Sequence, residues 1–241
     1  MQTPPTFEAR LVRTRALSPS VRELVFERAD GAPFSFAAGQ WVSLRIPTSD
    51  GELKRSYSIA SPPDGSPRFE LAVTLVTNGP GSTALHALEA GVAVSVTGPQ
   101  GLFARDGDGP SLFVATGTGV APLRSMLEAA VRAGERRALW MLLGVRHEED
   151  ILYRAELEAL ARAHDNVRFV PTLSRPGEGW TGRRGYVQEH VADLWRELEA
   201  RGEGAPHAYI CGLQKMVGAV RELLRDTMGL PRQQVHSERY D

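Results

Sequence analysis

The sequence predicts two domains of different class: a six-stranded antiparallel β-barrel over residues 1–106, then a doubly wound, five-stranded parallel sheet over residues 110–241. Three observations predict it. Before residue 107, short β-forming runs recur between Gly, Pro, Asp and Ser; from residue 111, apolar runs alternate with longer stretches of helical period. Between the two patterns lies Arg105-Asp106-Gly107-Asp108-Gly109-Pro110, polar and rich in breakers, where the boundary is expected. At 241 residues, 42% hydrophobic and 24% charged, the chain is long enough for two cores.

In the first half, residues 7–13, 21–26, 40–46, 55–60, 69–76 and 92–96 have strand length and composition. Six strands at that spacing suggest an antiparallel barrel. The exception is a short helix over 82–88, which Ser82 is placed to cap. In the second half, strands at 112–115, 138–143, 167–171, 208–211 and 234–237 alternate with helices at 122–133, 149–163, 186–199 and 215–227. Parallel neighbours need such crossovers, so a sheet covered by helices follows.

A formal net charge of −1 without runs of like charge supplies no basic field for nucleic acid, which is excluded as a partner. The first ten residues lack the cationic start and apolar core of a leader, and no segment reaches about 18 consecutive apolar residues, so a cytoplasmic protein without a membrane partner is expected. The single cysteine, Cys211, cannot form an internal disulfide or hold an iron–sulfur cluster. The histidines, His86, His147, His164, His190, His207 and His236, lack the spacing of a metal site, and no metal is assigned.

The chemistry-bearing residues fall into two groups. In Arg55-Ser56-Tyr57-Ser58, alternation along a strand puts Arg55 and Tyr57 on one face and Ser56 and Ser58 on the other. Arginine stays charged and can donate to two phosphate oxygens at once, Tyr57 offers an aromatic wall, and Ser58 offers a hydroxyl. Gly79-Pro80-Gly81-Ser82-Thr83 follows, where glycines admit close backbone approach and a helix start favours anions. Together these suit a flavin and its phosphates. One phosphate is served as well as two, so FMN stands beside FAD on these residues alone.

The second group begins at Gly117-Thr118-Gly119-Val120-Ala121-Pro122, a glycine turn between a buried strand and a helix, with Pro122 suited to the first helical position. Its free N–H groups suit a dinucleotide pyrophosphate. At the tip of the second strand, where a carboxylate would match a bare ribose 2′-hydroxyl, stand Val145 and Arg146. Ser174, Arg175 and Arg183 follow the third strand. Arginine at these places argues for the 2′-phosphate of NADPH over NADH. Two charge-assisted hydrogen bonds at about 1.5 kcal/mol each would favour it by roughly a hundredfold.

Taken together, Arg55-x-Tyr57-Ser58, Gly81-Ser82, Gly98-Pro99-x-Gly101, Gly117-Thr118-Gly119-x-Ala121-Pro122, Ser174-Arg175, Tyr209-Ile210-Cys211-Gly212 and Glu238-x-Tyr240 make the chain resemble the ferredoxin–NADP(+) reductase family over nearly its whole length. The resemblance implies an FAD-binding barrel of six strands followed by an NADP-binding domain of five. It implies that Ser58 lies near flavin N5, that Cys211 lies beside the nicotinamide C4, and that Glu238 orients the carboxamide and helps move protons. Tyr240 would stack on the flavin face that the nicotinamide must occupy. Further cofactor contacts are expected from Ala72, Val73, Thr83, Gly212 and Leu213. The electron partner would be a small external carrier, ferredoxin or flavodoxin.

Two other readings stand beside this one. An NADH-dependent reductase component of an oxygenase, or a free flavin reductase, would leave the arginines incidental. A redox-inactive nucleotide-binding subunit would keep the fold, but it would have no use for Arg55, Tyr57, Ser58, Cys211 and Glu238 together.

Overall fold

The computed structural model describes residues 3–48, 51–105 and 109–240. Residues 106–108 of the expected boundary, and Asp241, lie outside them. The first half is a six-stranded antiparallel sheet of β1 (Thr6–Ser18), β2 (Val21–Arg28), β3 (Trp41–Thr48), β4 (Gly51–Ser58), β5 (Arg68–Thr74) and β6 (Ala93–Gln100), in the order β4-β3-β6-β1-β2-β5. A bridge between Ile59 and Leu71 joins the two ends and closes a barrel. Alternate inward residues, among them Leu11, Leu24, Phe26, Leu44, Ile46, Phe69 and Val96, fill it.

The short helix α1 (Pro80–His86) starts two residues earlier than the sequence suggests. Ser82 therefore sits inside its first turn and not at the cap. Its hydroxyl donates to the Gly79 carbonyl and accepts from the Val76 N–H. The cap position falls to Gly79, and Pro80 takes the first helical place, where a missing N–H costs nothing.

The second half is a parallel sheet of β7 (Ser111–Thr116), β8 (Leu139–Val145), β9 (Val167–Leu173), β10 (Arg183–Arg184), β11 (His207–Leu213) and β12 (Val235–Tyr240), in the order β10-β9-β8-β7-β11-β12. Five of these are the expected strands. The sixth, β10, is a two-residue pairing with Thr172 and Leu173, too short to leave a periodic signal. Alternate strand residues face opposite helix layers. Phe113, Ala115, Met141 and Leu143 pack under α2 (Val120–Arg132) and α3 (Arg154–Ala163), while Leu112, Val114, Leu142 and Ile210 meet α4 (Gln188–Ala200) and α5 (Gln214–Glu222).

Three helical expectations change. A 3-10 turn over Gly117–Gly119 leads into α2 at Val120, so Pro122 is the third helical residue, still within the turn that has no N–H partners. The expected helix over 149–163 breaks at Ile151, Leu152 and Tyr153, which are buried, with Tyr153 left-handed at φ 54°; α3 starts after it. The helix expected to reach 227 passes from α5 into a π-helical turn over Leu223–Thr227.

The two halves share one apolar cluster, in which Val21, Ala60, Ala72 and Phe103 of the barrel side pack with Phe113, Met126, Leu127 and Tyr209 of the sheet side. Among the described residues, no helix is long and apolar enough to cross a membrane.

Candidate active site at the seam between the halves

The parallel strand order reverses at β7, so the connections leaving β7 and β11 diverge and open a crevice at their carboxyl ends. Two glycines let this crevice form. A β-carbon on Gly119 would collide with the Cys211 carbonyl, and one on Gly212, at φ 144°, would strike the Thr116 hydroxyl. The turn after β7 and the end of β11 are thus packed backbone on backbone, and the Leu213 N–H donates to the Thr116 hydroxyl at 3.3 Å. Thr118 is half-buried in the turn, while the Leu213 side chain is exposed.

The end of β4 faces that crevice. Tyr240 donates its hydroxyl to Ser58 Oγ at 2.7 Å, and Ser58 Oγ donates to Glu238 Oε2 at 3.4 Å. The register of β11 with β12 sets Cys211 beside Glu238 and Leu213 beside Tyr240. Four residues expected at the reacting centre, Ser58, Cys211, Glu238 and Tyr240, therefore meet, one from the barrel and three from the sheet. Burial pushes the Glu238 carboxyl above its usual value, against the opposing effect of the Ser58 hydrogen bond. Burial, and then the charge of Glu238, push the Cys211 thiol up. Burial also raises the Tyr240 hydroxyl. The site holds its protons tightly, and its thiol is neutral.

On the barrel side, Arg55 lies across the first turn of α1. A β-carbon on Gly81 would come 3.3 Å from Arg55 Cγ, so glycine at 81 makes room for the arginine stem. The guanidinium is exposed and donates to the Lys54 carbonyl at 2.8 Å. Tyr57 is half-buried against the barrel core, which pushes its hydroxyl up to about 12. Ser56 shares a hydrogen bond with Ser43 at 3.0 Å. Ala72 and Val73 are buried on β5, and the Val73 carbonyl meets His86 Nε2 at 2.9 Å. Thr83 is exposed on α1. An exposed arginine, a glycine-opened helix start and an aromatic wall fit a flavin nucleotide and its phosphates.

On the sheet side, the loops leaving β8 and β9 are stitched together. The Ser174 N–H donates to the Val145 carbonyl at 3.0 Å, and the Arg175 N–H to the Arg146 carbonyl at 2.9 Å. His147 Nδ1 donates to the Arg175 carbonyl at 3.0 Å. Arg146 and Arg175 are exposed neighbours whose side chains have no partner among the described residues. Arg183 is differently placed: it is half-buried, with its guanidinium 3.2 Å from His190 Nδ1. Two free guanidinium groups and the Ser174 hydroxyl fit a phosphate monoester.

Sequence reasoning missed Arg124, Ser125 and Tyr153. Arg124 Nη1 donates to the Ala60 carbonyl at 3.1 Å and to Glu70 Oε2 at 2.7 Å, and its guanidinium lies 4.3 Å from the centre of the Tyr153 ring. The Ser125 hydroxyl donates to the Ser61 carbonyl at 2.7 Å. The signal was a cation embedded in Leu123, Met126 and Leu127, on the face a helix buries.

Comparison with known proteins finds relatives over nearly the whole chain. The family model described as oxidoreductase FAD-binding domain matches residues 8–104, and that described as oxidoreductase NAD-binding domain matches residues 113–222. The chain is 63% identical over 238 residues to ferredoxin–NADP reductase B of Sorangium cellulosum, covering 98% of each. It is 34% identical over 209 residues to the reductase component of phenol 2-monooxygenase from a Pseudomonas species, but spans 57% of that protein. The structure of a ferredoxin–NADP(+) reductase from Neisseria gonorrhoeae with bound FAD and NADP shares the fold, with a TM-score of 0.80 at 23% identity over 97% of this chain and 98% of that one.

Proposed function

The chain belongs to the ferredoxin–NADP(+) reductase family, and from that premise we propose that it is an NADPH-dependent flavin oxidoreductase exchanging electrons with ferredoxin or flavodoxin in the cytoplasm. Residues 1–106 form its flavin domain and residues 110–241 its nicotinamide domain. FAD, when bound, supplies the step that the side chains cannot, taking two electrons as a hydride from NADPH and releasing them singly.

The observation that carries this reading is the Tyr240–Ser58–Glu238 chain, because it joins the two halves at one hydroxyl. Ser58 presents that hydroxyl where the flavin ring would meet the nicotinamide. Glu238, kept above the usual carboxylate range by burial, accepts from Ser58 and holds or returns a proton there. Tyr240 occupies the approach and yields when the nicotinamide arrives, since an aromatic stack contributes only about 0.5–1.5 kcal/mol beyond burial. Arg55 and the start of α1 hold the flavin phosphates. The Gly117–Gly119 turn takes the pyrophosphate, and Arg146, Ser174 and Arg175 take the 2′-phosphate. Arg183, committed to His190, supports the loop.

Anaerobic titration of the flavin-loaded protein with NADPH and with NADH, followed by visible absorbance, tests this reading. Bleaching at far lower NADPH than NADH is expected. Bleaching by NADH alone would move the chain to the oxygenase-reductase reading, which the 34% likeness to a phenol monooxygenase reductase favours.

A further inference from the structure

Helix α2 carries two functions on one rod. Its N-terminus continues from the Gly117–Gly119 turn, and about one helical turn further on it presents Arg124 and Ser125 to the barrel. Arg124 is 7% exposed and Ser125 fully buried. Their targets are consecutive backbone carbonyls, Ala60 at 3.1 Å and Ser61 at 2.7 Å, in the segment that begins at Ser58. That segment is fixed on its other side as well. The Ala60 N–H donates to the Glu70 carbonyl at 2.8 Å, Ser61 Oγ accepts from the Glu70 N–H at 3.2 Å, and the Glu70 side chain returns to Arg124. Glu128 pairs with the same guanidinium from one turn along α2, and the Tyr153 ring covers it.

We propose that Arg124 and Ser125 are positioning residues for electron exchange between the two cofactors: they fix the distance from the dinucleotide turn to Ser58, and so the approach of nicotinamide to flavin. The inference rests on the reading above. Both residues are buried with their hydrogen bonds spent on the barrel side, so both act through the 58–61 backbone. Reacting atoms must stand about 3–3.5 Å apart, and a misplacement of about 1 Å costs on the order of a hundredfold. A loosened grip therefore slows transfer while leaving each cofactor bound.

The test uses flavin-loaded full-length protein and the variants Arg124→Lys and Ser125→Ala. Single-turnover flavin reduction at saturating NADPH is expected to fall about tenfold and about threefold, respectively, with flavin content and the NADP(+) dissociation constant unchanged. Amide hydrogen exchange at residues 58–61 should quicken in both variants, while that at 117–119 stays as in the parent. Ser125→Ala removes a single hydroxyl, so it remains informative where Arg124→Lys folds poorly. An unchanged transfer rate overturns the inference, and so does a loss that falls equally on rate, flavin content and NADP(+) binding. If NADPH fails to bleach the parent protein, the proposed activity is wrong, whereas exchange at 58–61 still reports on the grip itself.

Discussion

The seam and the arginine rim are built in opposite ways. At the seam, buried Ser58 and half-buried Glu238 and Tyr240 are linked by hydrogen bonds through the Ser58 hydroxyl. At the rim, Arg146 and Arg175 stand in solvent on loops held by backbone hydrogen bonds, with their guanidinium groups uncommitted. On the proposed function, the difference separates chemistry from recognition. Groups fixed beforehand lower the barrier of a step without reorganising, whereas free cations gain their partner only when the right ligand arrives. Changes at the seam should therefore appear in kcat, and changes at the rim in KM.

The comparison breaks most completely at the place where the regions share backbone. Gly119→Val would drive the dinucleotide turn away from the Cys211 carbonyl, so loss of detectable NADPH oxidation is expected, with a lower melting temperature and retained flavin. Retained turnover would show that the turn and β11 move independently. Within the seam, Ser58→Ala and Glu238→Gln should each lower kcat by about 10²- to 10³-fold with the KM for NADPH nearly unchanged, in the range expected for loss of a positioned proton donor or acceptor. Steady-state kinetics on flavin-loaded protein decides this, and full activity in both variants removes their assigned roles.

At the rim, Arg175→Ala and Arg146→Ala should each raise the KM for NADPH about tenfold and leave that for NADH as it was, since each removes about 1.5 kcal/mol of charge-assisted hydrogen bonding. Equal changes for both nucleotides would show that the arginines bind no 2′-phosphate. The smallest effect concerns pH. Glu238 has its carboxyl raised from 4.5 by burial, so the folded chain holds that proton more tightly than the unfolded chain. Its stabilising contribution is complete below 4.5 and is lost as pH rises through the raised value. Glu238→Gln should remove that decline, giving a melting temperature a degree or two above the parent's at neutral pH and equal to it in acid.

The alternation of strand and helix was legible because buried strands and amphipathic helices leave periodic patterns that need no partner to interpret. Ser58 stood out by residue type and place, whereas Cys211 and Glu238 were marked only by the family resemblance. What escaped notice was decided across the seam. The segment 151–153 was expected inside a helix, but Tyr153 is left-handed, is buried and covers Arg124, and α3 begins only after it. Arg124 looked like one more charge on a helix because its partners, the carbonyl of Ala60 and the side chain of Glu70, lie 64 and 54 positions away. Ser82 was expected as a cap, but with Pro80 already taking the first helical position its hydroxyl was left to tie the preceding loop.

The two bonds that complete the seam span most of the chain: Ser58 meets Glu238 across 180 positions and Tyr240 across 182. Biosynthesis makes residue 58 long before either partner. A chain stopped short of β12 would carry Ser58, Cys211, Arg146 and Arg175, yet neither of the two side chains that reach Ser58 from the sheet side. The seam at Ser58 therefore closes only once β12 has paired with β11.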